Sequence, residues 1–164
     1  MIRVLSIDPP NAWSYMTETE VLRHGRVTFK KKDYARWVQD WNNATADVHG
    51  DVIAVEEVVI QRYGHDEPAV KIAKQNGAVV LQRRAGIIEG ICRLNHPGAT
   101  VLIIPTRVWR QTNGLKESSG RANLKASSIA LVKRIYGITV SHDEADATLI
   151  GRHAAIFAKM EARG

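Results

Sequence analysis

The sequence predicts an α/β domain: a mixed five-stranded sheet flanked by helices. Three observations predict it. Short apolar runs rich in β-branched residues, at 2–8 and 52–58, read as buried strands. Two alternating stretches, 12–19 and 21–29, read as antiparallel strands joined by a tight turn. Segments with helical period separate and follow these strands. The resulting order is β-β-β-α-β-α-β-α-α, in which three antiparallel strands lead into parallel strands linked by helices.

Each element has its own signal. The first strand closes on Val4, Leu5, Ser6, Ile7 and Asp8. Asp33 is placed to cap a helix over 34–48, where Tyr34, Trp37, Val38 and Trp41 fall at i, i+3, i+4 and i+7. Those aromatics read as core packing rather than a base-stacking platform. Gly50 ends that unit, and 52–58 is the next buried strand. The stretch from Gln61 to Pro68 reads as a loop. A long helical region then runs to about Leu94, with a break expected near Gly77. Pro97 and Gly98 punctuate it, and 100–104 is another short strand. Residues 106–112 form a helical turn, and Asn113 to Gly120 form a flexible loop. A helix over 121–136 ends on Gly137 as its C-cap, and 143–161 is the final helix. With no repeats, low-complexity tract or linker, 1–164 reads as one ordinary domain with room for a core.

Composition narrows the partners. The net charge is +6 and the pI near 9.7, which favours a polyanion. The charge is concentrated. Residues 105–134 hold Arg107, Arg110, Lys116, Arg121, Lys125, Lys133 and Arg134 against Glu117 alone, a surplus equal to the net charge of the chain. Lys30, Lys31 and Lys32 make a second patch, and Arg83 with Arg84 a third. No apolar run spans a bilayer, no apolar amphipathic helix supports membrane binding, and no leader is expected ahead of the first strand. Cys92 is the only cysteine, so no internal disulfide forms. It reads as a small buried apolar residue in a protein of a reducing cytoplasm.

Four carboxylates carry the chemistry: Asp8, Glu56, Asp143 and Asp146. Asp8 and Glu56 each close an apolar run, and acids are costly at the ends of buried strands unless a cation neutralises them. An oxygen-rich cluster suits magnesium or manganese. The element order matches the ribonuclease H-like α/β layout, where the first and fourth strands lie side by side and parallel. That brings Asp8 and Glu56 together at the carboxyl ends of strands, where open α/β sheets bind ligands. Asp143 and Asp146 sit at i and i+3, on one helix face. Four converging acids suit two divalent ions, one activating water and one stabilising the leaving 3′ oxygen.

Plainer roles compete at each position. Asp8 precedes Pro9 and Pro10 and suits a turn. Asp143 and Glu144 lie in a helix first turn, where acids complement the dipole. Ser141 and Glu144 form an S-x-x-E capping box, so Glu144 reads as structural. Glu57 points to the sheet face opposite Glu56 and drops out. His142 adjoins the acidic helix start and stands as an outside candidate for ligand or proton carrier. Zinc pairs of cysteine or histidine are missing, as are both common glycine-rich phosphate loops.

These residues resemble the RuvC family of Holliday-junction resolvases, within the ribonuclease H-like superfamily. The matching pieces are V-L-S-I-D-P at 4–9, I-A-V-E at 53–56 and H-D-E-A-D-A at 142–147, with weaker echoes in R-R-A-G-I-I at 83–88 and R-Q-T-N-G at 110–114. They keep the family's order and spacing over nearly the whole length. The resemblance implies a crossover junction endodeoxyribonuclease that uses magnesium or manganese. It implies Asp8, Glu56, Asp143 and Asp146 as catalytic metal ligands. It also implies a homodimer that makes paired symmetric nicks in four-way junction DNA during recombination and repair, since symmetric incision needs two active sites. By analogy the helix around Gly86 and Gly90 helps form the dimer interface. Tyr63 is the candidate to stack at the junction centre beside Arg62, and Lys116, Arg121 and Lys125 are candidate DNA contacts. Where the family has glycine after Asp-Pro, this chain has Pro10. Two other readings stand beside this one: another ribonuclease H-like nuclease acting on RNA–DNA hybrids or branched DNA, and a non-catalytic nucleic-acid-binding module. The compact chain is compatible with a bacterial or a phage gene.

Overall fold

In the computed structural model the elements follow the expected order, and residues 1–29, 33–59, 68–116, 118 and 120–163 are described. Strand β1 is Val4–Asp8, β2 Ala12–Met16 and β3 Val21–Arg26. Helix α1 (Tyr34–Thr45) precedes β4 (Val52–Glu56), and α2 (Pro68–Asn95) precedes β5 (Thr100–Ile104). Three helices close the chain: α3 (Thr106–Thr112), α4 (Arg121–Tyr136) and α5 (His142–Glu161). The sheet order is β3-β2-β1-β4-β5. Strand β1 pairs antiparallel with β2 and parallel with β4, and β4 pairs parallel with β5.

The sheet is covered on both faces. Alternation along β1 and β4 sends Val4, Val52 and Ala54 into one core with Trp109, Leu131, Ala145, Leu149 and Ala154 from α3, α4 and α5. Leu5, Ile7, Ile53 and Val55 enter the other core with Trp37, Trp41, Ile88 and Cys92 from α1 and α2. The same alternation puts Asp8 and Glu56 on the α5 face and Glu57 beyond it. In the register Ile7 faces Val55, so Asp8 stands level with Glu56.

Several boundaries differ from expectation for local reasons. Strand β2 stops at Met16 because Thr17 turns the chain: its N–H donates to the Glu20 carbonyl at 2.8 Å. Helix α1 ends at Thr45, and its cap is Asp33, whose Oδ1 accepts from the Arg36 N–H at 2.9 Å. Helix α2 runs through Gly77 without a break, since glycine in a helix costs about 1 kcal/mol and does not stop it. Tyr34 is exposed, unlike Trp37 and Trp41 behind it; it closes an edge-to-face cluster with Phe29 and Trp37 instead. Arg84, counted as surface charge, lies with its guanidinium 3.9 Å from the Phe29 ring centroid and packs there. Gly137 caps α4 in the left-handed region at φ +73°, as expected. Cys92 is fully buried, and burial, helped by Glu89, pushes its thiol up to about 12. Among the described residues no helix is long and apolar enough to cross a membrane.

Candidate active site

Helix α5 brings its N-terminus to the carboxyl ends of β1 and β4. Ser141 starts it with a complete capping box: Ser141 Oγ accepts from the Glu144 N–H, and Glu144 accepts from the Ser141 N–H at 3.0 Å. Behind the cap, Ala145, Ala147, Leu149, Ile150 and Ala154 are buried, so the helix lies flat on β1 and β2. Gly151 permits the closest approach. A β-carbon there would stand 2.5 Å from Met16 Sδ and from Ser6 Oγ.

The acids from these three elements act on one another. Burial raises the Asp8 carboxyl well above the ordinary range; the charges of Glu56 and Asp146, a hydrogen bond to Glu56 and the charge of Asp143 raise it further. Burial also raises Asp146; a hydrogen bond from Ser128 of α4 opposes the shift, Glu56 adds to it, and Arg110 and His142 oppose it. Asp146 Oδ1 is buried with no hydrogen-bond partner among the described residues. An orphaned buried carboxylate oxygen beside an acid that its neighbours push toward protonation fits a hard divalent cation. Asp8, Glu56, Asp143 and Asp146 are the residues that would hold it. As the side chains stand, no three His, Cys, Asp or Glu groups among the described residues form a closed ligand cage. Asp143 is engaged elsewhere, by Arg26 of β3 at 2.8 Å and by His142 Nε2 at 2.6 Å.

Surrounding groups complete the site. Glu56 Oε1 accepts from the Trp109 indole at 3.0 Å. Glu144 is structural as expected: partial burial pushes its carboxyl up, but hydrogen bonds from Ser141 and His24 outweigh that and hold it low. The His24 contact is 2.8 Å. His142 pairs with Asp143. Arg110 lies over the Trp109 ring at 5.2 Å and, with Arg107, Gln111, Gly114, Leu115 and Lys116, lines a groove of about 440 Å³. Lys116 and Arg121 are exposed, and Lys125 is half-buried on α4. Arg62 and Tyr63 lie outside the described residues, as do Lys30, Lys31 and Lys32. The sequence alone does not single out Arg26, Trp109 or Ser128, and it offers Arg110 as part of the basic segment and of the R-Q-T-N-G echo but not as a neighbour of the acids. Each reaches the acids through a tertiary contact; the only advance hint was an indole donor inside a strongly basic segment.

The sheet order, the helices on both faces and the placement of the acids define a ribonuclease H-like α/β domain. No protein-family model matches the sequence, and no curated protein matches it. Solved structures do. Thermus thermophilus RuvC in complex with a Holliday junction substrate superposes with a TM-score of 0.69 at 18% identity, over 98% of this chain and 96% of that one. A second Thermus thermophilus RuvC structure gives a TM-score of 0.60 at 20% identity, over 98% and 97%. The fold is therefore that of RuvC.

Proposed function

We propose that this protein is a divalent-metal-dependent endonuclease that resolves four-way DNA junctions. One observation carries the reading: acids from β1, β4 and α5, far apart in sequence, meet at a single point beside a basic groove, where burial and the neighbouring acids raise Asp8. A charge cluster of that kind is unfavourable in a bare protein and favourable around a cation. The junction-bound Thermus structure, which shares the fold, supports four-way DNA as the substrate.

In this reading 1–164 is one nuclease domain. Asp8, Glu56, Asp143 and Asp146 hold magnesium or manganese, two ions per site. Bound there, the metal supplies an activated water and neutralises charge on the phosphate and the leaving 3′ oxygen. Asp146, half-buried beside apolar neighbours, offers its Oδ1 to the ion. Ser128 and Trp109 hold Asp146 and Glu56 from behind. Arg107, Arg110, Lys116, Arg121 and Lys125 take the phosphate backbone, with Arg62 and Tyr63 toward the junction centre. Binding through these cations weakens steeply with salt. Two active sites in a homodimer make the paired nicks, with α2 around Gly86 and Gly90 in the interface. The setting is the cytoplasm of a bacterial or phage-infected cell, in recombination and repair.

The test is to incubate the protein with labelled mobile and fixed junctions, flaps and RNA–DNA hybrids, with and without magnesium or manganese, and to map the cuts. Paired symmetric nicks confined to junctions support resolution. Cutting of hybrids or flaps alone moves the protein to another ribonuclease H-like nuclease, and binding without any metal-dependent cut makes it a binding module. Asp8→Asn and Asp146→Asn are expected to bind junctions without cutting them; wild-type cleavage by either removes that residue from the ligand set.

A further inference from the structure

Glu56 is held from behind by a second element. The Trp109 indole N–H donates to Glu56 Oε1 at 3.0 Å across 53 residues of sequence. Trp109 is 1% exposed and packs among buried residues of α4 and α5. The helix that carries it is tied down as well. Asn113, at the end of α3, donates to the Trp109 carbonyl at 2.7 Å and to the Leu149 carbonyl of α5 at 3.0 Å. Arg152 of α5 donates to Asn113 Oδ1 at 3.0 Å. The indole that reaches β4 is thereby fixed to the helix that bears Asp143 and Asp146.

Burial alone does not require this bond. The indole nitrogens of Trp37 and Trp41 are also buried, and neither has a hydrogen-bond partner among the described residues. The fold therefore tolerates unsatisfied indoles in its core. Trp109 instead spends its single donor on a carboxylate at a strand end. An indole N–H only donates, so it takes a lone pair of Oε1 and fixes the plane of the group. Outer partners of this kind orient metal ligands and are worth about 10–100-fold in metal affinity.

We infer that Trp109 is a positioning residue: its N–H orients Glu56 so that the carboxylate faces Asp8 and Asp146 as one ligand set. This rests on Glu56 being a metal ligand. The test uses the whole protein and Mn2+ alone as probe, read by electron paramagnetic resonance without DNA, beside junction affinity in Ca2+ and cleavage at rising Mn2+. Trp109→Phe keeps a buried ring and deletes the donor. It is expected to weaken Mn2+ binding about tenfold or more, to lose cleavage that partly returns as Mn2+ is raised, and to leave junction affinity unchanged. A purely structural role would lower the melting temperature and junction affinity without moving Mn2+ affinity, and that result overturns the inference. If Trp109→Phe does not fold, benzothienylalanine at position 109 keeps the bicyclic shape and removes only the N–H. Glu56→Gln separates the two ideas. Unchanged Mn2+ binding in Trp109→Phe with loss in Glu56→Gln refutes the positioning role alone; unchanged binding in both refutes the ligand assignment beneath it.

Discussion

Replacing Gly151 by alanine tests the contact that brings the acidic helix onto the sheet. In an open helix interior, glycine to alanine stabilises by about 0.5–1 kcal/mol. Here the new methyl would stand 2.5 Å from Met16 Sδ and Ser6 Oγ and 3.0 Å from Ser6 Cβ. All three atoms belong to residues with no exposed surface. Ser6 Cβ cannot rotate away, and Ser6 Oγ is committed to the Ser14 carbonyl at 3.1 Å. Normal carbon contacts are about 3.5–4.0 Å, so α5 must lift from β1 by roughly 1 Å. Overpacking of that kind costs about 1–3 kcal/mol. After the propensity gain, the net loss is roughly 0–2.5 kcal/mol, a drop of up to about 10 °C in melting temperature. The lift also parts Asp143 and Asp146 from Asp8, and a misplacement of about 1 Å can cost about 100-fold in rate. Denaturant titration and metal-dependent junction cleavage, both run well below the melting point, measure the two effects. A Gly151→Ala protein as stable as wild type and fully active would refute the close seating of α5 on β1.

Other expectations follow from the same geometry. Burial and the charges of Glu56, Asp146 and Asp143 raise Asp8, so the folded protein binds that proton more tightly than the unfolded chain does. Ionised Asp8 therefore destabilises the metal-free protein above its folded value, and the penalty vanishes as pH falls to the ordinary carboxyl range. Asp8→Asn is expected to stabilise the protein in chelator more at about pH 8 than at about pH 5; equal denaturation midpoints with wild type at both would contradict this. Arg26 holds Asp143 at 2.8 Å and, in the proposed ligand set, would compete with the cation for it, so Arg26→Gln should tighten Mn2+ binding several-fold; weaker binding would mean that Arg26 holds Asp143 in its ligating pose. Cys92, buried and with its thiol pushed up to about 12, should resist thiol reagents in the native protein and react on unfolding; fast native labelling would expose an opening between α2 and the sheet.

Much of the placement of the candidate site is legible in the sequence, and the reason is periodicity. Asp8 and Glu56 end apolar runs, and strand alternation fixes the face each one takes. The i, i+3 spacing joins Asp143 to Asp146, and the S-x-x-E pattern set Glu144 aside as a cap, which the Ser141 hydrogen bonds bear out. What escaped depends on contacts between distant segments. Arg26 lies on β3, and only the antiparallel pairing that stacks β3 beside β2 brings it toward α5. Trp109 has no local pattern that aims it at Glu56. The unbroken course of α2 past Gly77 was missed because a glycine weakens a helix locally, while packing over a long segment decides whether it continues.

The pairing of β1 with β4 has a consequence for how errors in this chain show themselves. Val4 faces Val52 and Ile7 faces Val55 in a parallel ladder buried on both sides. Slipping either strand by one residue would turn Asp8 or Glu56 into the tryptophan-lined layer and drive Leu5 or Ile53 toward α5. A carboxylate would then be buried among indole rings. Misthreaded molecules are thus penalised by the very groups they would misplace, so the two carboxylates also guard the register of the strands that carry them.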